Sequence, residues 1–206
     1  MTKSKKSEKE KSYDLLNNMV REDNGLLVHK KARQKDIHPE YIGMFKEEYK
    51  LEEFMPGIYS DSNSFPDELF ALQQRYTRGI YSHETALMLW EMTDVILAEY
   101  IMTFPQGYNT PTIKKWKINP KYITKDRYTI GKTTVETSFG NEVKIYDRER
   151  TLCDLLQTRH YTDKTVLLEA IKRYVASEQK DLRKLMKYAK IFKVENKLRP
   201  YLEILL

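Results

Sequence analysis

Apolar side chains in the first fifty residues recur at helical spacing in short runs separated by polar turns. Tyr13, Leu16, Met19 and Val20 predict a helix over about residues 9–21, behind a charged opening dozen expected to fray. The "EDNG" stretch ends it, with Gly25 suited to a left-handed cap. A second helix is expected from about His29 to Lys35. Pro39 then opens a third, because a first-turn residue needs no amide hydrogen. Along that third helix Ile42, Phe45 and Tyr49 form one apolar stripe, and Glu40, Gly43, Lys46, Glu47 and Lys50 point elsewhere. "LEEFMPGIYS" predicts a hairpin: Leu51–Phe54, a turn at Pro56–Gly57, then Ile58–Tyr59. Three short helices followed by a two-stranded hairpin spell a winged helix-turn-helix over residues 1–60.

The polar "SDSNSFP" stretch reads as the joint to a second domain, residues 61–206, with Ser60–Ser64 at its centre. Pro66 is expected to open a helix running to about Tyr76. Gly79–Tyr81 reads as a short strand, and Ser82 as the cap of "HETALMLWEM". "EYIMTFPQG" is a strand, and "RYTIGKTTVETSFGNEVKIYD" holds β-prone runs separated by Gly131 and Gly140. Asp147 caps "RERTLCDLLQ", whose Leu152, Leu155 and Leu156 face inward beside Cys153. From Asp163 onward three amphipathic sets predict three consecutive helices. The expected fold class is therefore α+β: a winged helix-turn-helix, then a mixed α/β domain ending in a helical segment.

Charge sharpens this picture. The chain is formally +6, and its last 47 residues carry 11 basic against 6 acidic groups. The run "VHKKARQK" holds Lys30, Lys31, Arg33 and Lys35 and no acid, which suits a polyanion even in a nearly neutral domain. No apolar run approaches a membrane span, and no apolar segment follows the basic N-terminus, so a cytoplasmic protein without membrane contact is expected. A single cysteine excludes an intramolecular disulfide framework.

Candidate chemistry is sparse. There is no glycine-rich phosphate loop, so no nucleotide cofactor is expected. His29, His38, His83 and His160 are dispersed without metal-ligand spacing, so no metal is expected. Ser82, His83 and Glu84 resemble a hydrolytic trio, yet adjacent residues at a helix start point apart and cannot form a relay. Asp126 with Glu142 and Lys144 fits the loose pattern of a metal-dependent nuclease, in which two carboxylates hold the ion and the lysine supports the attacking water. The competing explanation is strand alternation: Val143 and Ile145 face the core, so Glu142 and Lys144 face outward. Cys153, among leucines, reads as a core residue and not a nucleophile. No catalytic residue is assigned on this reading. A further alternative is a protein–protein adaptor, with the winged helix as a docking fold and the basic tail meeting an acidic partner.

The order of segments resembles the AbiEi-type antitoxins of bacterial abortive phage infection, regulators of type IV toxin–antitoxin systems. The resemblance runs through "NGLLVHKKARQKDIHPEYIGMFKEEYKLEEFMPGIYS", "GIYSHETALMLWEM", "YIMTFPQGYN", "VKIYDRERTLCDLL" and "LRPYLEILL", with "YSHETAL" and "YDRERTLCDLL" the most distinctive blocks. It implies a protein that binds inverted repeats in the promoter of its own two-gene operon and represses it. It also implies a functional partner, a toxin similar to nucleotidyltransferases, countered without a stable complex. On the residues themselves, His38, Glu40, Tyr41, Gly43 and Lys46 are expected at the outward or N-terminal side of the major-groove helix. Lys30, Lys31, Arg33 and Lys35 are expected to position phosphates. Lys172, Arg173, Lys180, Arg183, Lys184, Lys187 and Lys190 fall mainly outside the apolar stripes, so they are expected to be exposed together as a surface for flanking DNA or toxin neutralisation.

Overall fold

The computed structural model describes residues 3–63, 65–109, 111–157 and 162–206, with side chains in the first helix from residue 7 onward. His160 and Ser64, a residue of the expected joint, lie outside the described residues. The fold mixes α and β. It divides into two compact units, Met1–Tyr76 with Glu136–Glu142, and Thr77–Val135 with Val143–Leu206. The first unit thus runs sixteen residues past the boundary expected at residue 60, for a local reason. Asp67 is buried, accepts from Phe70 N to cap a helix, and also accepts from Thr137 Oγ1 at 2.5 Å and Asn141 Nδ2 at 2.9 Å. One carboxylate thereby fastens the 136–142 segment to the first unit.

In that unit the order is α1 (Lys3–Glu22), β1 (Leu26–Val28), α2 (His29–Gln34), α3 (Pro39–Glu48), β2 (Leu51–Met55), β3 (Ile58–Asp61) and α4 (Glu68–Arg75). The opening residues continue α1 from Lys3 where fraying is expected. The strand β1 is absent from the sequence reading because three apolar residues carry no period; pairing with β3 makes it a strand and gives the antiparallel order β1-β3-β2. The hairpin forms as expected, with Gly57 at φ +80 and a bulge between Glu53 and Met55. The core joins Leu16, Met19, Leu27, Ala32, Ile37, Tyr41, Ile42 and Phe45. Phe45 takes Tyr13 edge-on at 5.3 Å and stacks on Tyr49 at 4.3 Å, so the 42/45/49 stripe holds although Tyr49 stays 45% exposed. The helix α4 begins at Glu68, two residues after the expected Pro66, because Asp67 provides the cap.

The second unit builds a five-stranded sheet of order β6-β5-β4-β8-β7 from β4 (Ile80–Tyr81), β5 (Tyr100–Pro105), β6 (Ile118–Ile123), β7 (Lys132–Glu136) and β8 (Glu142–Tyr146). The strand β6 escapes the sequence reading because "INPKYI" contains a proline, and a proline is tolerated here because β6 lies at the sheet edge. Around the sheet stand α5 (His83–Leu89), α6 (Lys125–Tyr128), α7 (Arg148–Leu155), α8 (Lys164–Ala176), α9 (Leu182–Ile191) and α10 (Glu195–Leu205). Arg127 and Tyr128, expected in a β-prone run, lie instead in the short helix α6. Leu152, Cys153 and Leu155 pack with Leu167, Ile171, Leu185 and Leu198 in one apolar cluster. No helix among the described residues is long and apolar enough to cross a membrane.

Candidate nucleic-acid interface

The surface of interest starts at the α2–α3 turn. Four residues, Lys35–His38, join the helices. Asp36 takes the left-handed conformation at φ +56, a place where a short polar side chain is tolerated, and Ile37 turns into the core at 3% exposure. His38 is the N-cap of α3: its Nδ1 accepts from Glu40 N at 3.3 Å, and Pro39 follows at the first helical position. The ring itself is exposed.

The outward side of α3 is the face with residues 40, 43, 44 and 47, spaced by three and four. Glu40 and Glu47 are exposed, and Met44 packs in part against the core. At Gly43 an added Cβ would meet nothing within 4 Å, so the backbone there is open to close approach. Lys46 lies over the Tyr59 ring at 4.0 Å, which pins its ammonium between helix and hairpin. Tyr41 does not face outward. It is 7% exposed, because a residue four before Phe45 shares Phe45's side of the helix, and it belongs to the core.

Of the four cations expected to position phosphates, Lys30, Arg33 and Lys35 are exposed. Lys31 is engaged: its Nζ donates to both carboxylate oxygens of buried Asp23 at 2.7 and 2.9 Å and sits 4.9 Å over the Phe70 ring. Burial pushes the Asp23 carboxyl up, against the pull of Lys31. Lys31 is therefore a structural neutraliser and not a free phosphate ligand. Two of the nearby acids are likewise engaged: Glu48 accepts from Tyr13 OH at 3.0 Å, and Glu53 Oε1 accepts from Gly57 N at 2.9 Å to brace the hairpin.

The C-terminal basic set is also divided by its partners. Lys172, Lys180, Arg183, Lys187 and Lys190 are exposed. Arg173 pairs with Asp94 and with Glu169 at 2.9 Å. Lys184 reaches Asp147 and Glu149, each at 3.0 Å. Burial opposes the charge on Lys184, yet those two carboxylates more than offset it and hold its pKa above the ordinary lysine value. The seven residues do not form one free surface, because these two are neutralised within the unit.

Strand alternation holds through the β8 residues of the nuclease pattern. Val143 and Ile145 are fully buried and Glu142 is exposed, as strand alternation requires. Lys144 Nζ donates to Thr77 O at 2.7 Å. Glu142 belongs to the first unit, and Asp126 and Lys144 to the second. Among the described residues no group of three or more His, Cys, Asp or Glu side chains is placed to hold a metal ion. Cys153 is fully buried, and burial pushes its thiol far up. The Ser82-His83 pair corrects the sequence reading. Ser82 stands at the N-cap of α5 as expected but makes no side-chain capping bond; its Oγ lies 3.0 Å from His83 Nδ1 and accepts from Thr103 Oγ1 at 2.8 Å. His83 adopts the left-handed conformation at φ +54, and Glu84 accepts from Thr162 Oγ1 at 3.1 Å. No protein-family model matches the chain, and no curated protein matches it.

Proposed function

We propose that the first unit is a winged helix-turn-helix that binds double-stranded promoter DNA carrying inverted repeats. On this reading α3 enters the major groove, α2 holds flanking phosphates and the β2–β3 hairpin is the wing. The observation that carries it is the order itself. A capped, proline-initiated helix with an open glycine on its outward face follows a helix and a four-residue turn that together carry three exposed cations, and a braced hairpin comes next. Glu40, in the first turn of α3, suits acceptance from a cytosine amino group, the base contact open to an acid. Lys30, Arg33 and Lys35 supply the sequence-independent part of the affinity.

Together with the "YSHETAL" and "YDRERTLCDLL" blocks, this supports an antitoxin of a type IV abortive-infection system that represses its own operon. The second unit would then counter a nucleotidyltransferase-like toxin encoded beside it, without a stable complex. Protection mapping on the DNA upstream of the chain's own gene tests the DNA-binding reading. Two protected half-sites related by a dyad, surviving excess competitor DNA, are expected; uniform or absent protection contradicts it. Growth rescue on co-expression with the neighbouring gene tests the antitoxin reading separately.

A further inference from the structure

The second unit holds a cavity of about 930 Å³ that none of the activities above uses. That size matches the upper range of small-molecule sites. Its wall includes Arg150, the largest fully buried side chain among the described residues. The guanidinium is sandwiched between the rings of Tyr146 and Phe192, at 4.1 and 4.0 Å. Its Nε donates to Asp154 at 2.9 Å, and its Nη1 donates to Arg127 O at 2.9 Å and Ile130 O at 2.8 Å. Those three bonds are what a structural arginine needs. They leave Nη2, which is buried and has no hydrogen-bond partner among the described residues. A buried guanidinium nitrogen left without an acceptor is costly unless a ligand supplies one.

The surroundings define that ligand. The Arg127 guanidinium lies 5.9 Å over the same Phe192 ring that Arg150 covers, and Lys193 follows Phe192 in the chain; both line the cavity. Two guanidiniums therefore share Phe192, and Lys193 and Lys121 add positive charge to the same wall. Its two carboxylates stand beside arginines, Asp154 at 2.9 Å from Arg150 and Asp126 at 4.0 Å from Arg127, so the cations outnumber the acids. This end suits a group with several negative oxygens, which guanidinium forks bind bidentately. A different part of the wall offers the 48% exposed ring of Tyr122 and the Gln106 side chain, a stacking face and an amide with both donor and acceptor capacity.

We propose that this cavity binds a nucleoside phosphate, with the phosphate at the Arg150–Arg127–Lys193 end and the base against Tyr122. The site is independent of the DNA-binding reading, since every residue named lies in the second unit.

Isothermal titration calorimetry of the full chain with each of the four common ribonucleoside triphosphates, and with inorganic phosphate, tests it. At least one nucleotide is expected to bind with a Kd below about 1 mM, more tightly than inorganic phosphate does. Arg127→Gln and Lys193→Asn should each weaken it at least tenfold; asparagine is chosen because Lys193 sits at φ +58, which it tolerates. Tyr122→Ala should weaken the nucleotide and leave phosphate binding unchanged. Should a variant fail to fold, Lys121→Gln on the edge strand β6 replaces it, with a loss of at least threefold expected. Binding by none of the four nucleotides overturns the proposal. So does phosphate binding as tightly as every nucleotide, which makes this a bare anion site, or binding unaffected by folded cavity variants, which places the ligand elsewhere.

Discussion

The helices α2 and α9 invite comparison, because each brings four cations to a short stretch of chain. In α2 and the turn after it these are Lys30, Lys31, Arg33 and Lys35; in α9 they are Arg183, Lys184, Lys187 and Lys190. In each, the cation just before a buried residue of the stripe, Ala32 or Leu185, is held by carboxylates of its own unit, and the other three are exposed. Free charge alone therefore does not tell them apart. What differs is the neighbourhood. The helix α2 leads through a tight turn into a helix with a glycine on its outward face, while α9 packs into the main apolar cluster of its unit against α7 and α10. A run of lysines becomes a candidate interface through what stands next to it.

Buried and exposed cations should separate first by stability. Arg150→Met leaves Asp154, 2% exposed, without its ion-pair partner, and is expected to cost roughly 3–5 kcal/mol in chemical denaturation. A loss below about 1 kcal/mol would mean that the pair contributes little. Lys31→Met removes the partner of Asp23 and should cost about 1–3 kcal/mol, held to the lower part of that range by the partial exposure of Lys31. Lys30→Met, one position away, should stay within about 0.5 kcal/mol. Equal losses at 30 and 31 would dissolve the distinction between structural and free cations in α2.

Much of this was legible in the sequence, and the misses share a cause. The helix α3, the hairpin, the strands β5 and β8 and the three terminal helices all follow from periodicity and turn residues. The strands β1 and β6 do not, since three apolar residues or a proline-bearing segment become strands only when a partner is beside them. The pairing of Lys31 and Lys184, and of Arg173 with Asp94, is likewise invisible along the chain, because Asp23, Asp94, Asp147 and Glu149 come from outside their helices. Arg150 and Asp154 did leave a signal, a basic and an acidic residue four apart on one helix, but nothing in the sequence shows that both are buried. The left-handed His83 left none.

A smaller effect sharpens the reading of α3. Gly43→Ala should raise stability by about 0.5–1 kcal/mol, since a helix-interior glycine is replaced where an added Cβ meets nothing within 4 Å. Gly43→Tyr should leave the fold intact and cut specific DNA binding at least tenfold, read by retardation of the upstream DNA. Unchanged binding by a folded Gly43→Tyr protein would take this face out of the groove.

The salt dependence of binding to the upstream DNA, measured for the wild type and two triple variants, separates α2 from α9 most directly. Replacing Lys30, Arg33 and Lys35 by Ala should lower the slope of log affinity against log salt by roughly 2.7, about 0.9 for each phosphate no longer neutralised. Replacing Arg183, Lys187 and Lys190 by Ala should leave that slope as in the wild type. Equal reductions from both triples, or a reduction confined to the α9 triple, would contradict the assignment of DNA binding to the first unit.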